Sequence, residues 1–206
     1  MNAHALQDMT AGFTHEALGS QAAFRAALQA LAHPGRATAM PIEAECPSTG
    51  NAAAAVLLLA LLDADCTLWL SPRLAVSPTA NWLRFHTGCR LVSDPALAMF
   101  AWVAQDDAAL PLDALAQGSD ADPEGSATLV LDLPSLQGGR TLELTGPGIR
   151  TTQTLQARGL PDDFPTWWQA NHAAFPRGVD VFLATPEAIA GLPRTTRIAQ
   201  PESQEA

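Results

Sequence analysis

The chain has 206 residues, 48% of them hydrophobic, and a formal net charge of −10. That is enough length and apolar content for one compact core, and it excludes a disordered protein. The eleven basic residues are all arginine, and there is neither lysine nor tyrosine. A Schiff base to pyridoxal phosphate or to a carbonyl substrate is therefore excluded, as is a Walker A loop. So acidic a balance disfavours nucleic-acid binding unless the arginines gather on one face.

The longest apolar run, Ala52–Leu62, falls far short of the ~20 residues that span a bilayer. MNAHALQDMT lacks the basic-then-apolar pattern of a secretory signal. A cytoplasmic protein without membrane association is expected. Cys46, Cys66 and Cys89 are odd in number and widely spaced, which points to buried free thiols rather than to a disulfide framework or a metal site.

In chain order, residues 1–14 and 200–206 read as flexible termini flanking a single α/β domain over 15–199. Ser20 is a candidate cap for a helix ending at Ala32, with Phe24, Ala27, Leu28 and Leu31 on one face at spacings of three and four. His33-Pro34-Gly35 stops it. Ala37–Glu43 is an expected strand, Asn51–Asp63 a buried helix and Thr67–Ser71 a short strand. A helix over Thr79–Thr87, capped by Ser77 or Thr79, carries Trp82 and Phe85. Ala98–Ala104 reads as a strand, Leu112–Ala116 as a short helix and Ser119–Gly125 as an acidic loop.

Period-two alternation in ATLVLDLPSLQGGRTLELTGPGIR, Ala127–Arg150, predicts two short strands joined by a loop at Pro134 and Gly138-Gly139. Gly146-Pro147-Gly148 then makes a stiff corner. A strand over Thr151–Gln156, a helix Pro165–Ala174 capped by Asp163, an apolar strand Val179–Ala184 and a short helix around Glu187–Ala190 complete the pattern. Strands mingled with helices indicate a layered α/β domain with a mixed sheet covered on both faces by helices.

No catalytic set stands out. GPGIRT matches only half of a dinucleotide-binding loop and leads into a strand, so it has no helix N-terminus to present to a phosphate. His86 and Cys89 are more simply a hydrogen-bonded histidine beside a buried thiol than a nucleophile pair. Ser126 lacks a nucleophile-elbow context. Asp63 and Asp65 read as a solvated helix end. Trp167-Trp168 divide between core and partner surface. The best small-molecule candidate is LPRTTRI (Leu192–Ile198), where Arg194 and Arg197 bracket Thr195 and Thr196 and Arg177 lies in nearby FPRGVD. Arginine forks and threonine hydroxyls at Arg177, Arg194, Thr195 and Thr196 suit a phosphate or phosphonate, or equally a partner's carboxylates and exposed sheet ends.

LAHPG (Leu31–Gly35), LLDAD (Leu61–Asp65), FHTGC (Phe85–Cys89), PEGSATLVLDL (Pro123–Leu133), LTGPGI (Leu144–Ile149), FPRGVDVFL (Phe175–Leu183) and LPRTTRI, in this order, resemble the PhnH family, the H subunits of the bacterial carbon–phosphorus lyase system. The resemblance implies a three-layer α/β/α fold like the large domain of pyridoxal-phosphate-dependent transferases, with the cofactor site lost. It further implies a homodimer when alone, and membership of a complex with G, I and J subunits. That complex makes ribose 1-alkylphosphonate 5-triphosphate from ATP and alkylphosphonate. The family assigns no catalytic residue, cofactor or metal to this subunit. The rival expectation is a phosphonate- or nucleotide-binding protein, or an enzyme, using the arginine–threonine pocket.

Overall fold

The computed structural model describes residues 10–199. The termini expected to be flexible lie outside the described residues at 1–9 and 200–206. Residues 10–14 make specific contacts. Thr10 Oγ1 donates to the Glu45 carbonyl at 2.7 Å, Trp82 Nε1 donates to the Thr10 carbonyl at 3.1 Å, and Phe13 bridges Ala44.

Helix α1 (Glu16–Ala32) leads to strand β1 (Thr38–Ala39), helix α2 (Ala52–Leu61), β2 (Thr67–Leu70), α3 (Pro72–Ala75), α4 (Pro78–Thr87), β3 (Arg90–Leu91) and β4 (Phe100–Val103). Then follow β5 (Thr128–Asp132), β6 (Ser135–Thr145), β7 (Gln153–Arg158), α5 (Phe164–Ala173), β8 (Asp180–Ala184), β9 (Ala188–Leu192) and β10 (Arg197–Ala199). The main sheet has the order β1-β9-β8-β5-β4-β2-β3, and a second sheet the order β10-β6-β7. From β3 to β8 the neighbours run parallel, while β9 is antiparallel to both β8 and β1. The central parallel strands β4, β5 and β8 are apolar on both faces because each is covered twice.

The two covers differ. On one face α1, α2, α3 and α4 pack against Trp102, Val130, Phe182 and Ile189. On the other, the expected helical layer is mainly the three-stranded sheet, with α5 as its one long helix. Leu142, Leu144, Leu155, Phe164 and Trp168 meet Val103, Leu129, Leu131, Val181 and Leu192 there. The central mixed sheet and its flanking helices agree with the expected fold class, and this layer refines it.

Several elements depart from expectation. Residues 135–145 form one long strand, and Gly138-Gly139 lie within it rather than in a loop. Both glycines have positive φ where the register with β7 shifts, so they form a bulge. The strands either side of Pro134 do not pair, because β5 belongs to the main sheet and β6 to the small one. The segment expected as a helix around Glu187–Ala190 is strand β9. A turn closed by Thr185, whose backbone N–H donates to the Ala188 carbonyl at 2.8 Å, folds it back on β8.

Helix α1 buries Gly19, Ala23, Ala26, Ala27 and Ala30 and leaves Phe24 46% and Leu28 50% exposed. The small face is chosen because the helix lies almost on the backbone of β9. A Cβ on Gly191 would sit 2.6 Å from the Ala30 carbonyl oxygen, and larger side chains could not fit at that separation.

Lesser corrections concern lengths and one cap. The strand expected over Ala37–Glu43 shrinks to β1. The one over Thr151–Gln156 begins two residues later, as β7. The helix at Leu112–Ala116 is a single 3₁₀ turn, and Asp163 makes no side-chain cap bond. Ser77 does cap α4, accepting from the Thr79 backbone N–H.

Among the described residues no helix is long and apolar enough to cross a membrane.

Candidate functional site

The four residues expected to hold an anion come from two loops, and the fold treats them differently. Arg194 follows β9. Its Nη2 donates to Asp180 Oδ2 at 2.6 Å and its Nε to Asp180 Oδ1 at 3.2 Å, a forked pair. Its Nη1 donates to the Pro123 carbonyl at 2.9 Å and to that of Pro176 at 3.4 Å. The Arg194 side chain is 14% exposed. Its donors thus staple the start of β8 and the 3₁₀ turn Pro123–Gly125 ahead of β5 to the β9–β10 loop. Arg177 is half exposed and pairs with Asp120 at 3.3 Å. Thr195 is half-buried. Thr196 is fully buried, its carbonyl accepts from Trp168 Nε1 at 2.8 Å, and its hydroxyl finds no partner among the described residues. The loop is fastened further by His172 Nδ1, 2.9 Å from the Arg194 carbonyl. Asp180 belongs to the FPRGVDVFL motif, and nothing in the local spacing marks it as the partner of Arg194. Fourteen residues separate the two, and only the β8–β9 hairpin brings them together.

A sheet of parallel strands offers another place for a ligand. Its crevice lies beyond the carboxyl ends of the strands, where the chain order reverses. Here the reversal falls between β2 and β4, since β3 lies on the far side of β2. Loops cross-link this crevice. Ser71 Oγ accepts from the Ala104 N–H at 3.0 Å, and the Arg73 guanidinium reaches Asp106 and Asp107 at 3.2 and 3.3 Å. The Trp102 indole, fully buried, fills the space beside Gly50 and Leu74.

Beneath that indole is the least expected side chain in the molecule. Asp132, at the end of β5, is 2% exposed and makes no ion pair among the described residues. Its Oδ1 accepts from Trp102 Nε1 at 2.9 Å, and its Oδ2 accepts from the Asn51 N–H at 2.8 Å, at the start of α2. Asn51 Nδ2 in turn donates to the Leu133 and Ala184 carbonyls. Burial pushes the Asp132 carboxyl up to about 7, against the lowering effect of its two donors. The alternation over Leu129–Asp132 marks a strand and says nothing of the burial of Asp132. The true cause of its burial is the N-terminus of α2 resting on the strand end, which no local pattern reveals.

The other motif residues are structural in this geometry. Gly146 has φ +130 and Gly148 φ +81. A Cβ on Gly146 would lie 3.0 Å from the Thr195 carbonyl oxygen, and one on Gly148 would collide with the Ala32 carbonyl oxygen. The glycine-proline-glycine corner therefore joins three motifs, seating the end of β6 against both the C-terminus of α1 and the β9–β10 loop. His86 Nε2 lies 3.0 Å from the Thr10 carbonyl. Burial raises the thiol pKa of Cys66 and of Cys89. Among the described residues no group of three or more His, Cys, Asp or Glu side chains could hold a metal ion.

The fold and these sites define an α/β protein on a mostly parallel sheet whose strand ends are tied by its own loops. Residues 11–199 match the model of the PhnH family, described as bacterial phosphonate metabolism protein, and the chain belongs to that family. It is 35% identical over 192 residues to alpha-D-ribose 1-methylphosphonate 5-triphosphate synthase subunit PhnH of Rhizobium meliloti (strain 1021), covering 93% of this chain and 96% of that protein. It is also 35% identical over 181 residues to HtxG of Stutzerimonas stutzeri, named as a candidate C-P lyase subunit protein, covering 86% and 85%.

Proposed function

We propose that this chain is a non-catalytic subunit of a carbon–phosphorus lyase assembly, acting in the cytoplasm. The assembly would couple alkylphosphonate to the ribose of ATP to give ribose 1-alkylphosphonate 5-triphosphate. Its partners would be the G, I and J subunits, with a homodimer when alone. The observation that carries the assignment is near full-length similarity to a protein named as a subunit of that synthase.

The non-catalytic part rests on geometry. The Arg194 fork is occupied by Asp180, and the buried Trp102 indole packs beside Gly50 and Leu74 near the strand ends where a sheet of this kind takes its ligand. A likeness to pyridoxal-phosphate transferases fits the parallel ladder, and a chain without lysine could not hold that cofactor as an aldimine. Restoring growth to a deletion strain with methylphosphonate as the only phosphorus source tests the assignment. Adenine release from ATP and methylphosphonate by the isolated chain would overturn the non-catalytic reading.

A further inference from the structure

Seven of the eleven arginines make no ion pair among the described residues, and three of these, Arg36, Arg150 and Arg197, converge on the glycine-proline-glycine corner. Arg36 follows Gly35, whose Cα packs on Leu144 near Gln153. Arg150 is two residues past Gly148, which packs on Ala32 and Pro34. Arg197 stands opposite Thr145 in the β10–β6 register, beside Gly146. All three are exposed, as is His33. The nearest acidic residue in the ladder, Glu143, lies diagonal to Arg197 and makes no ion pair with it.

The corner is stiff, and it adjoins an apolar surface. The uncovered face of α1 carries Phe24 and Leu28 at 46% and 50% exposure. At 1.5 Å per residue the helix runs only about 12 Å from Phe24 to Ala32, where the corner begins. An exposed aromatic-aliphatic stripe ending in unpaired arginines is the composition of a protein interface, in which aromatic residues and arginine are enriched.

We infer that the outer face of α1 and the Arg36–Arg150–Arg197 corner form one docking surface, and that its occupant is a carboxylate-rimmed face of another subunit of the assembly. This rests on the proposed function. Charge selects the occupant. A second copy of this chain would bring the same three arginines near this corner, whereas an acidic rim complements them. A nucleic-acid backbone would meet only three cations on a chain of net charge −10, too few to offset the remaining field.

The test is association of the full chain with the other subunits of its assembly, co-produced and purified, at two salt concentrations. Reversing the corner (Arg36→Glu, Arg150→Glu, Arg197→Glu) is expected to weaken association at least tenfold and to flatten its salt dependence. The neutral set Arg36→Gln, Arg150→Gln, Arg197→Gln weakens it less in the same direction, which guards against misfolding of the reversed set. Reversing Arg84, Arg90 and Arg158, away from the corner, leaves it unchanged. Association of the corner variants equal to that of the parent overturns this surface and leaves the subunit reading intact. Failure of the parent chain to associate overturns both. Loss of binding to a short oligonucleotide, with subunit association unchanged, would reassign the corner to phosphate.

Discussion

Asp132 and Arg194 show what a polar residue does once the fold has closed around it. Asp132 is buried without an ion pair among the described residues, and its carboxyl is raised to about 7 from an unfolded value near ~4. In that window the native state holds a proton that the unfolded chain does not. Stability from this group is therefore greatest below about pH 4 and falls as pH rises towards 7, by on the order of 4 kcal/mol. Asp132→Asn removes the titration, so the variant's stability relative to the parent should rise with pH across this window. Urea unfolding at pH 5, 6, 7 and 8 reads it directly, and a pH-independent difference would mean that the carboxyl titrates normally. Arg194→Ala removes the guanidinium from Asp180, which keeps only the backbone N–H of residue 194, and from two carbonyls, at 14% and 26% side-chain exposure for the pair, and should cost about 2–3 kcal/mol. Arg177→Ala breaks only an exposed pair and should cost under about 1 kcal/mol. Thermal unfolding of the two variants side by side checks the contrast.

At the scale of elements, helix α1 is the instructive case. Its sequence is apolar on two sides, and period alone cannot tell which side faces the core. The alanine side wins because β9 presents Gly191 and the two backbones nearly touch. Gly191→Ala should therefore destabilise by about 2–3 kcal/mol through overpacking, whereas Leu28→Ser should move stability by no more than ~0.5 kcal/mol. Chemical denaturation midpoints distinguish the two. If Leu28→Ser proved the costlier change, the helix would be packed the other way round. Strand β9 resembles a helix in sequence for a related reason. Its small residues Ala188, Ala190 and Gly191 carry little β propensity, and tertiary contact with α1 overrides local preference.

Over the whole molecule, the two apolar clusters lie on opposite faces of one sheet, one led by Trp82 and Trp102 and the other by Trp168. Strands β4, β5 and β8 contribute to both, so loss of either cover strips the sheet that supports the other. We expect one cooperative transition over 15–199, with tryptophan fluorescence and far-ultraviolet circular dichroism coinciding through a urea titration. Two resolved steps would mean that the small sheet and α5 fold as a separate unit.

Much of this was legible from residues alone. Alternating and apolar runs placed the parallel strands β2, β4, β5 and β8, though not the two-residue β3, the unbroken alanine–leucine run placed α2, and Ser77 and His33-Pro34-Gly35 marked helix ends, because these signals act over a few neighbouring residues. The seven ordered motifs likewise named the family before any contact was known. What only the tertiary structure decided depends on distant partners: whether Arg194 is free or held by Asp180, whether Asp132 meets water or the start of α2, which face of α1 is covered, and which arginines are left over at the glycine-proline-glycine corner. Those outcomes follow from which backbones approach closely enough to exclude water, and that separation is set by the whole packed sheet rather than by any segment of it.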